Sequence, residues 1–277
     1  STPKPSSAAS DVYKRQELTP DGDVVAPSAI SLKSFGQQEE HDAREMTAEE
    51  IEQTIRDFGE ATRRAIEAGF DGVEIHGANH YLIHQFVSPY YNRRNDVWAD
   101  NYKFPVAVID EVIKAKKAHA NDDFIIGYRL SPEEAESPGI SMEITEELIH
   151  QIANKPLDYI HVSLMDVNSV TREGKYKGEN RLKLIHQWIN GRMPLIGIGS
   201  VFTAEDALNA VENIGVEFVA LGREILLDYD FVAKIKEGRE DEIINAFDPN
   251  REDQHYLTPN LWEQFNQGFY PLPRKDK

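Results

Sequence analysis

The stretch Gly69-Phe70-Asp71-Gly72-Val73-Glu74-Ile75-His76-Gly77-Ala78-Asn79-His80-Tyr81 decides the fold, because in it a short apolar strand runs directly into a cluster of polar side chains. Apolar residues alternate with Glu74 and His76, as in a strand whose two faces differ. Small residues then turn the chain, so that Asn79 and Tyr81 are predicted to project near His76. Polar residues at the carboxyl end of a strand are typical of the active site of a parallel α/β protein.

The chemistry of this trio suits reduction of a polarised double bond. His76 and Asn79 can each donate a hydrogen bond to one carbonyl oxygen and stabilise the negative charge that develops there during reduction. Tyr81 can supply a proton from its phenol. The spacing by itself leaves open the alternative that these are incidental polar residues at the end of a strand.

Outward from this stretch, strand and helix patterns alternate. Thr47-Ala48-Glu49-Glu50 forms a capping box that predicts the start of a helix, and Gly69 supplies its stop. Apolar runs of strand length cover 72–76, 124–130, 158–163, 194–198 and 216–221. Helical patterns lie near 104–119, 143–153, 179–190, 203–213, 229–238 and 239–246. This order predicts a parallel α/β fold, and the spacing suits a (β/α)8 barrel with loop insertions.

Several motifs carry a resemblance to a known family. They are His76-Gly77-Ala78-Asn79, Tyr81-Leu82, Gln85-Phe86-Val87-Ser88-Pro89, Asn92-Arg93-Arg94-Asn95-Asp96, Val25-Ala26-Pro27-Ser28-Ala29-Ile30, Gly127-Tyr128-Arg129-Leu130-Ser131-Pro132, Gly197-Ile198-Gly199-Ser200, Leu221-Gly222-Arg223 and Leu227-Asp228. Together, in their order along the chain, they resemble the old yellow enzyme family of FMN-dependent NAD(P)H oxidoreductases. The resemblance implies FMN as cofactor, NADH or NADPH as electron donor, and an activated alkene or related small molecule as acceptor. It also implies catalytic roles for His76, Asn79 and Tyr81.

The resemblance further implies an incomplete TIM (β/α)8 barrel. The five predicted strands would be strands 4 to 8, with strands 1 to 3 missing. We expect residues 1–16 to be a disordered, non-native tail, 17–247 to be the truncated FMN-binding barrel, and 248–277 to be an extension that packs on the barrel or on a partner.

Two glycine-containing turns are candidates for a phosphate site, because phosphate commonly binds after strands 7 and 8 of such barrels. Gly199 and Ser200 follow one strand, and Gly222 and Arg223 follow the next. Either turn alone is typical of an ordinary tight turn. The resemblance implies that together they hold the FMN phosphate.

Arg129 ends the strand after His76 and is therefore predicted at the same edge of the sheet. The resemblance implies that it lies near the pyrimidine side of the flavin. The alternative is a salt bridge to Glu133 or Glu134.

Composition excludes several other classes of function. The 277-residue chain carries 30 basic and 48 acidic residues, a net charge of −18, which disfavours nucleic acids and anionic lipid surfaces as partners. It has no cysteine, so it holds no disulfide and no cysteine-ligated iron–sulfur cluster. We expect a cytoplasmic protein that does not enter a membrane and that can form homo-oligomers.

Two rival functions stay open at this stage. His76, His80 and His84 are spaced by four and could line one helical face as ligands of a metal-dependent barrel hydrolase, although no carboxylate is evident to complete the site. The second rival is a non-catalytic barrel fragment with weak or no flavin binding. His80 also stands where the resembling family often has Gly, which leaves acceptor selectivity open.

Overall fold

A computed structural model describes residues 22–33, 40–120, 122–255, 257–268 and 271–275. The predicted tail at 1–16 lies outside these residues. The described residues fall into two compact units, the first within 1–163 and 170–195 and the second within 164–169 and 196–277. None of the helices in the described part of the chain has the length and apolar character needed to cross a membrane.

The first unit begins with a small sheet that the sequence patterns did not predict. It consists of β1 (Val25–Ala26), β2 (Ile30–Lys33) and β3 (Glu40–Glu45), with β3 parallel to β1 and antiparallel to β2. Val24, Ala26, Ala43 and Tyr91 form a separate buried cluster beside it. β1 has only two residues, β2 has four, and β3 is mostly polar, so none of them shows the apolar run from which strands are recognised.

The first long helix, α1 (Ala48–Glu67), begins as predicted. The Thr47 side chain accepts from the Glu50 backbone amide, and the Glu50 carboxylate accepts from the Thr47 amide, which satisfies two of the helix's unpaired donors. Its buried face packs against α3 (Lys103–His119). Gly59 allows this close approach, because a Cβ there would lie 2.8 Å from Cγ of Glu111.

The first unit also holds the strands that position the site. β4 (Gly72–Gly77), β5 (Ile125–Leu130) and β6 (Tyr159–Val162) are parallel neighbours in that order, with His76 opposite Arg129 and Arg129 opposite His161. The connecting helices are α2 (Leu82–Val87), α3, α4 (Met142–Ile152) and α5 (Arg181–Ile189). The carboxyl ends of β4, β5 and β6 therefore present their side chains at one edge.

The second unit contains the strands β7 (Leu195–Ile198, of which Leu195 belongs to the first unit) and β8 (Phe218–Ala220), which are parallel. Its helices are α6 (Ala204–Leu208), which continues into a π-helical turn at Asn209–Ile214, then α7 (Arg223–Leu227), α8 (Phe231–Lys236) and α9 (Pro259–Asn266). Leu227, Phe247 and Phe265 are buried together, and Trp262 packs against them. The tail aromatics Phe269 and Tyr270 lie outside the described residues.

The five predicted strands are confirmed, with ends that differ by at most two residues. The segment predicted as a helix near 239–246 contains only a short 3-10 turn at Glu240–Glu242. Three short helices, α2, α7 and α9, were not predicted. Each has eight residues or fewer, so none shows enough turns for its periodicity to be recognised.

Candidate active site

The turn after β4 holds two of the predicted catalytic residues, Asn79 and Tyr81, and the third, His76, lies near the end of the strand. Asn79 and His80 both have left-handed backbones, with φ of 57° and 61°. Left-handed conformations are uncommon for residues other than Gly, and Asn and His are among those that tolerate them best. This explains why Gly would suit position 80. After the turn, the Tyr81 ring packs on His76, with ring centroids 4.9 Å apart.

The Asn79 side chain is held by two serines at neighbouring strand ends. Its Oδ1 lies 3.0 Å from Ser163 Oγ, which follows β6, and 3.3 Å from Ser131 Oγ, which follows β5. The Asn79 backbone amide also donates to Ser131 Oγ at 3.0 Å. Neither serine was among the predicted site residues, although both directly follow apolar strands.

Arg129 is near Asn79 through one of these serines. Its Nη2 donates to Ser163 Oγ at 2.9 Å, while its Nε is buried and has no partner among the described residues. The alternative of a salt bridge to Glu133 or Glu134 is wrong. Glu133 pairs instead with Arg181 at 2.6 Å, and Glu134 is bound by His84 at 2.8 Å.

Glu74, Tyr159 and His161 form a hydrogen-bonded cluster that was not predicted from the sequence. It lies in the same group of three strands, β4 to β6, as His76 and Arg129. Glu74 accepts hydrogen bonds from Nδ1 of His161 at 3.1 Å and from the hydroxyl of Tyr159 at 3.3 Å. Although burial alone would raise the pKa of Glu74, the hydrogen bond from His161 and the charges of His161 and Arg129 outweigh it, so the pKa is lowered. A Cβ at Gly127 would overlap the Tyr159 ring, so Gly127 makes room for the cluster. The alternation that places Glu74 on the face of His76 could have revealed it.

The rival metal site gains a carboxylate in the structure, contrary to the sequence-based expectation. His80, His84 and Glu134 offer ligand atoms within 4.8 Å of one another, whereas His76 is not part of this group. However, both carboxylate oxygens of Glu134 already accept hydrogen bonds, Oε1 from Ser88 and from the Ile140 amide, and Oε2 from His84. The arrangement is therefore that of a buried carboxylate held by three hydrogen bonds, which disfavours the metal-dependent hydrolase.

In the second unit, the two predicted phosphate-binding turns contact each other. Arg223 Nη2 lies 3.2 Å from Ser200 Oγ, and both groups donate to the Met165 carbonyl oxygen, at 2.9 and 2.8 Å. Gly199 has φ of 131°, and a Cβ there would lie 2.5 Å from the Asp166 amide nitrogen. Gly222 immediately precedes α7 and is exposed. Gly199, Ser200, Gly222 and Arg223 thus form one local cluster with a single guanidinium and a hydroxyl.

Thr203 caps α6, and its side chain accepts from the Asp206 amide. The Asp206 carboxylate accepts from the Phe202 and Thr203 amides at 3.0 and 2.9 Å. The Phe202 and Thr203 amides are therefore already paired within this turn.

The residues present fit FMN within each unit. In the first unit, the buried and unpaired Arg129 Nε is a donor suited to an acceptor atom on a flavin ring. In the second unit, Arg223 supplies a positive charge and Ser200 a hydroxyl, the donor types that bind phosphate.

Comparison with known proteins agrees with this reading. The model of the NADH:flavin oxidoreductase / NADH oxidase family matches residues 3–242. The chain is 47% identical over 261 residues to a Bacillus subtilis protein named as a probable NADH-dependent flavin oxidoreductase, YqiG, covering 92% of this chain and 68% of that protein. It is 40% identical over 227 residues to the NADH:acrylate oxidoreductase of Vibrio harveyi, covering 79% of this chain but only 22% of that protein.

A solved structure shows the fold. Morphinone reductase in complex with tetrahydroNAD matches with a TM-score of 0.65 and 24% identity, over 81% of this chain and 62% of that one. The chain thus spans about two thirds of YqiG and of morphinone reductase and less than a quarter of the acrylate oxidoreductase. The family model and YqiG, which match most of the chain, show that this protein belongs to the NADH:flavin oxidoreductase / NADH oxidase family.

Proposed function

We propose that the chain acts as an FMN-dependent NAD(P)H oxidoreductase of the ene-reductase type, which reduces an alkene conjugated to an oxygen-bearing group. The observations that carry the proposal are the packing of Tyr81 on His76 and the bonds that join Asn79 to Arg129 through Ser163. Acrylate, the compound in the name of one relative, has a double bond conjugated to a carboxylate, which supports this class of acceptor.

Each residue has a role that follows from its chemistry. His76 and Asn79 would donate hydrogen bonds to the acceptor oxygen, which gains negative charge as the double bond is reduced. The Tyr81 phenol would give its proton to the carbon beside the oxygen-bearing group. The packing of Tyr81 on His76 keeps the two rings close together, with their centroids 4.9 Å apart.

The cofactor roles are assigned separately in the two units. FMN, when bound, supplies a two-electron carrier between the nicotinamide donor and the acceptor. In the first unit, Arg129 would donate from Nε to the ring and stabilise negative charge on it. In the second unit, Ser200 and Arg223 would bind the phosphate, with Gly199 and Gly222 keeping the approach open.

The test is rapid-mixing kinetics of the FMN-loaded chain and of Tyr81→Phe. Loss of the phenol proton should slow reduction of cyclohexenone by roughly 10²- to 10⁴-fold, while flavin reduction by NADH or NADPH stays within about twofold. Tyr229→Phe, which changes a tyrosine 58% exposed in the second unit, is the matched control and should alter neither half-reaction. Equal slowing of both half-reactions would remove Tyr81 as proton donor, and a chain that binds no FMN would refute the proposed function.

A further inference from the structure

We infer that Ser131 and Ser163 are positioning residues that lock the Asn79 amide with its NH₂ group toward the acceptor. The inference rests on the proposed function and deepens it, because it says which chemical groups the site accepts. Three successive strand ends take part, since Asn79 follows β4, Ser131 follows β5 and Ser163 follows β6.

The orientation of the Ser163 hydroxyl follows from Arg129. A guanidinium can only donate, so the Ser163 oxygen accepts from Arg129 Nη2 at 2.9 Å. The Ser163 proton is then directed to another acceptor, and Asn79 Oδ1 lies 3.0 Å away. Because Arg129 is charged, it polarises the hydroxyl and strengthens the bond that the hydroxyl donates.

The orientation of the Ser131 hydroxyl follows from the backbone. The Asn79 amide N–H donates to Ser131 Oγ at 3.0 Å, and an amide nitrogen can only donate. The Ser131 proton therefore goes to Asn79 Oδ1, at 3.3 Å. Two hydroxyls, each fixed by a group that can only donate, thus point their protons at one oxygen.

These two bonds decide the direction of the carboxamide. A flipped NH₂ group could donate to the second lone pair of each hydroxyl oxygen, but both hydroxyl protons would then lose Asn79 Oδ1 as their acceptor. The oxygen therefore faces the serines, and both N–H bonds of Asn79 face the opposite way on an exposed side chain. Asn79 also holds a left-handed backbone, with φ of 57°, which this network of bonds helps to maintain.

The consequence is that the site would select acceptor molecules by whether they accept or donate a hydrogen bond at the position facing Asn79. A site that presents fixed N–H donors favours acceptors whose conjugated group is an oxygen acceptor, such as a ketone, aldehyde, carboxylate or nitro group. It disfavours molecules that present an N–H or O–H donor at that position, since two donors would then face each other. The serines would set this preference without touching the acceptor.

The experiment compares Ser131→Ala, Ser163→Ala and Ser163→Thr with the unchanged chain, all loaded with FMN. Each alanine should weaken binding of the unreactive ketone cyclohexanone, read by calorimetry, and lower kcat/KM for cyclohexenone by about tenfold, the effect of one hydrogen bond. Reduction of the flavin by NADH should not change in Ser131→Ala, because the Ser131 hydroxyl bonds to Asn79 and not to Arg129. Ser163→Thr keeps the hydroxyl and should restore most of the loss. Ser169→Ala is the matched control, because Ser169 Oγ is buried but makes no hydrogen bond among the described residues.

A second readout is independent of activity. In protein labelled with ¹⁵N-asparagine, the side-chain NH₂ signals of Asn79, assigned with Asn79→Ala, should shift and exchange faster in both serine-to-alanine variants but not in Ser169→Ala. Unchanged Asn79 signals in folded Ser131→Ala and Ser163→Ala would overturn the inference. Unchanged cyclohexanone binding would also overturn it. If the unchanged chain reduces no acceptor while its Asn79 signals respond as stated, the proposed function fails and the positioning role stands.

Discussion

Two glutamates, one in each unit, are about equally buried, but the pKa of one is lowered and the pKa of the other is raised. The Glu134 side chain is inaccessible and accepts hydrogen bonds from Ser88, His84 and the Ile140 amide. Glu224 is 1% exposed, and neither of its oxygens has a partner among the described residues. Burial would raise the pKa of Glu134, but its donors outweigh that effect and lower it. Burial, with the nearby Asp228 charge, raises the pKa of Glu224 to about 8.

The difference shows that hydrogen-bond donors, rather than the depth of burial, decide whether a buried carboxylate is charged. Removing a carboxylate from water costs several kcal/mol unless hydrogen bonds replace the water. Glu134 lies where α2 and the segment before α4 meet, and there two side chains and one backbone amide bind its carboxylate. Glu224 lies in the first turn of α7, where the nearest charges are mostly of its own sign.

The largest expected effect comes from removing the charge of Glu134. Glu134→Gln turns one acceptor oxygen into an NH₂ group that faces existing donors, so we expect a loss of about 3–5 kcal/mol in the free energy of unfolding. Urea unfolding at pH 7 measures it. Glu173→Gln, at an exposed position, is the control and should change stability by less than about 0.5 kcal/mol. A loss of less than about 1 kcal/mol in Glu134→Gln would mean that the donors do not sustain the charge.

The same substitution at Glu224 should have the opposite sign. The folded-state pKa of about 8 exceeds the ordinary value of 4.5, so the folded protein keeps a proton that the unfolded chain loses. Stability associated with this group is fully present below pH 4.5 and is lost as the pH rises through about 8.

Glu224→Gln removes this loss, because the amide does not titrate. We expect the variant to exceed the unchanged protein by on the order of 3 kcal/mol at pH 8.5 and to match it or fall slightly below it at pH 4.5. Urea unfolding across that pH range, with Glu217→Gln as an exposed control, measures the difference. A constant difference between the two proteins at every pH would show that Glu224 is charged in the folded state.

Glu74 is the intermediate case and should give the smallest effect. Its side chain is 30% exposed and is held by His161 and Tyr159. Tyr159→Phe removes one long hydrogen bond, so we expect a loss of about 0.5–1 kcal/mol and a higher pKa for Glu74. NMR titration of the Glu74 carboxyl together with urea unfolding measures both. An unchanged carboxyl pKa would assign the lowered value to His161 and Arg129 alone.

The β4 turn shows how far sequence reasoning reached into the site. An apolar strand followed by His76, Asn79 and Tyr81 was enough to predict three polar side chains near one strand end, because side chains alternate and parallel strands end at one edge. The orientation of the Asn79 amide could not be predicted. It depends on Ser131 and Ser163, which are 52 and 84 residues away in the chain.

The sequence by itself determined the alternation of strands and helices, the cap at Thr47 and the family, because each of these is recorded in local periodicity or in short contiguous motifs. Only the tertiary structure decided which polar groups meet. It paired Glu134 with His84 rather than with Arg129, joined Glu74 to His161, and left Glu224 without a donor. The physical reason is that a hydrogen bond or a shifted pKa depends on the distance between groups that lie far apart in the chain, and local patterns do not encode such distances.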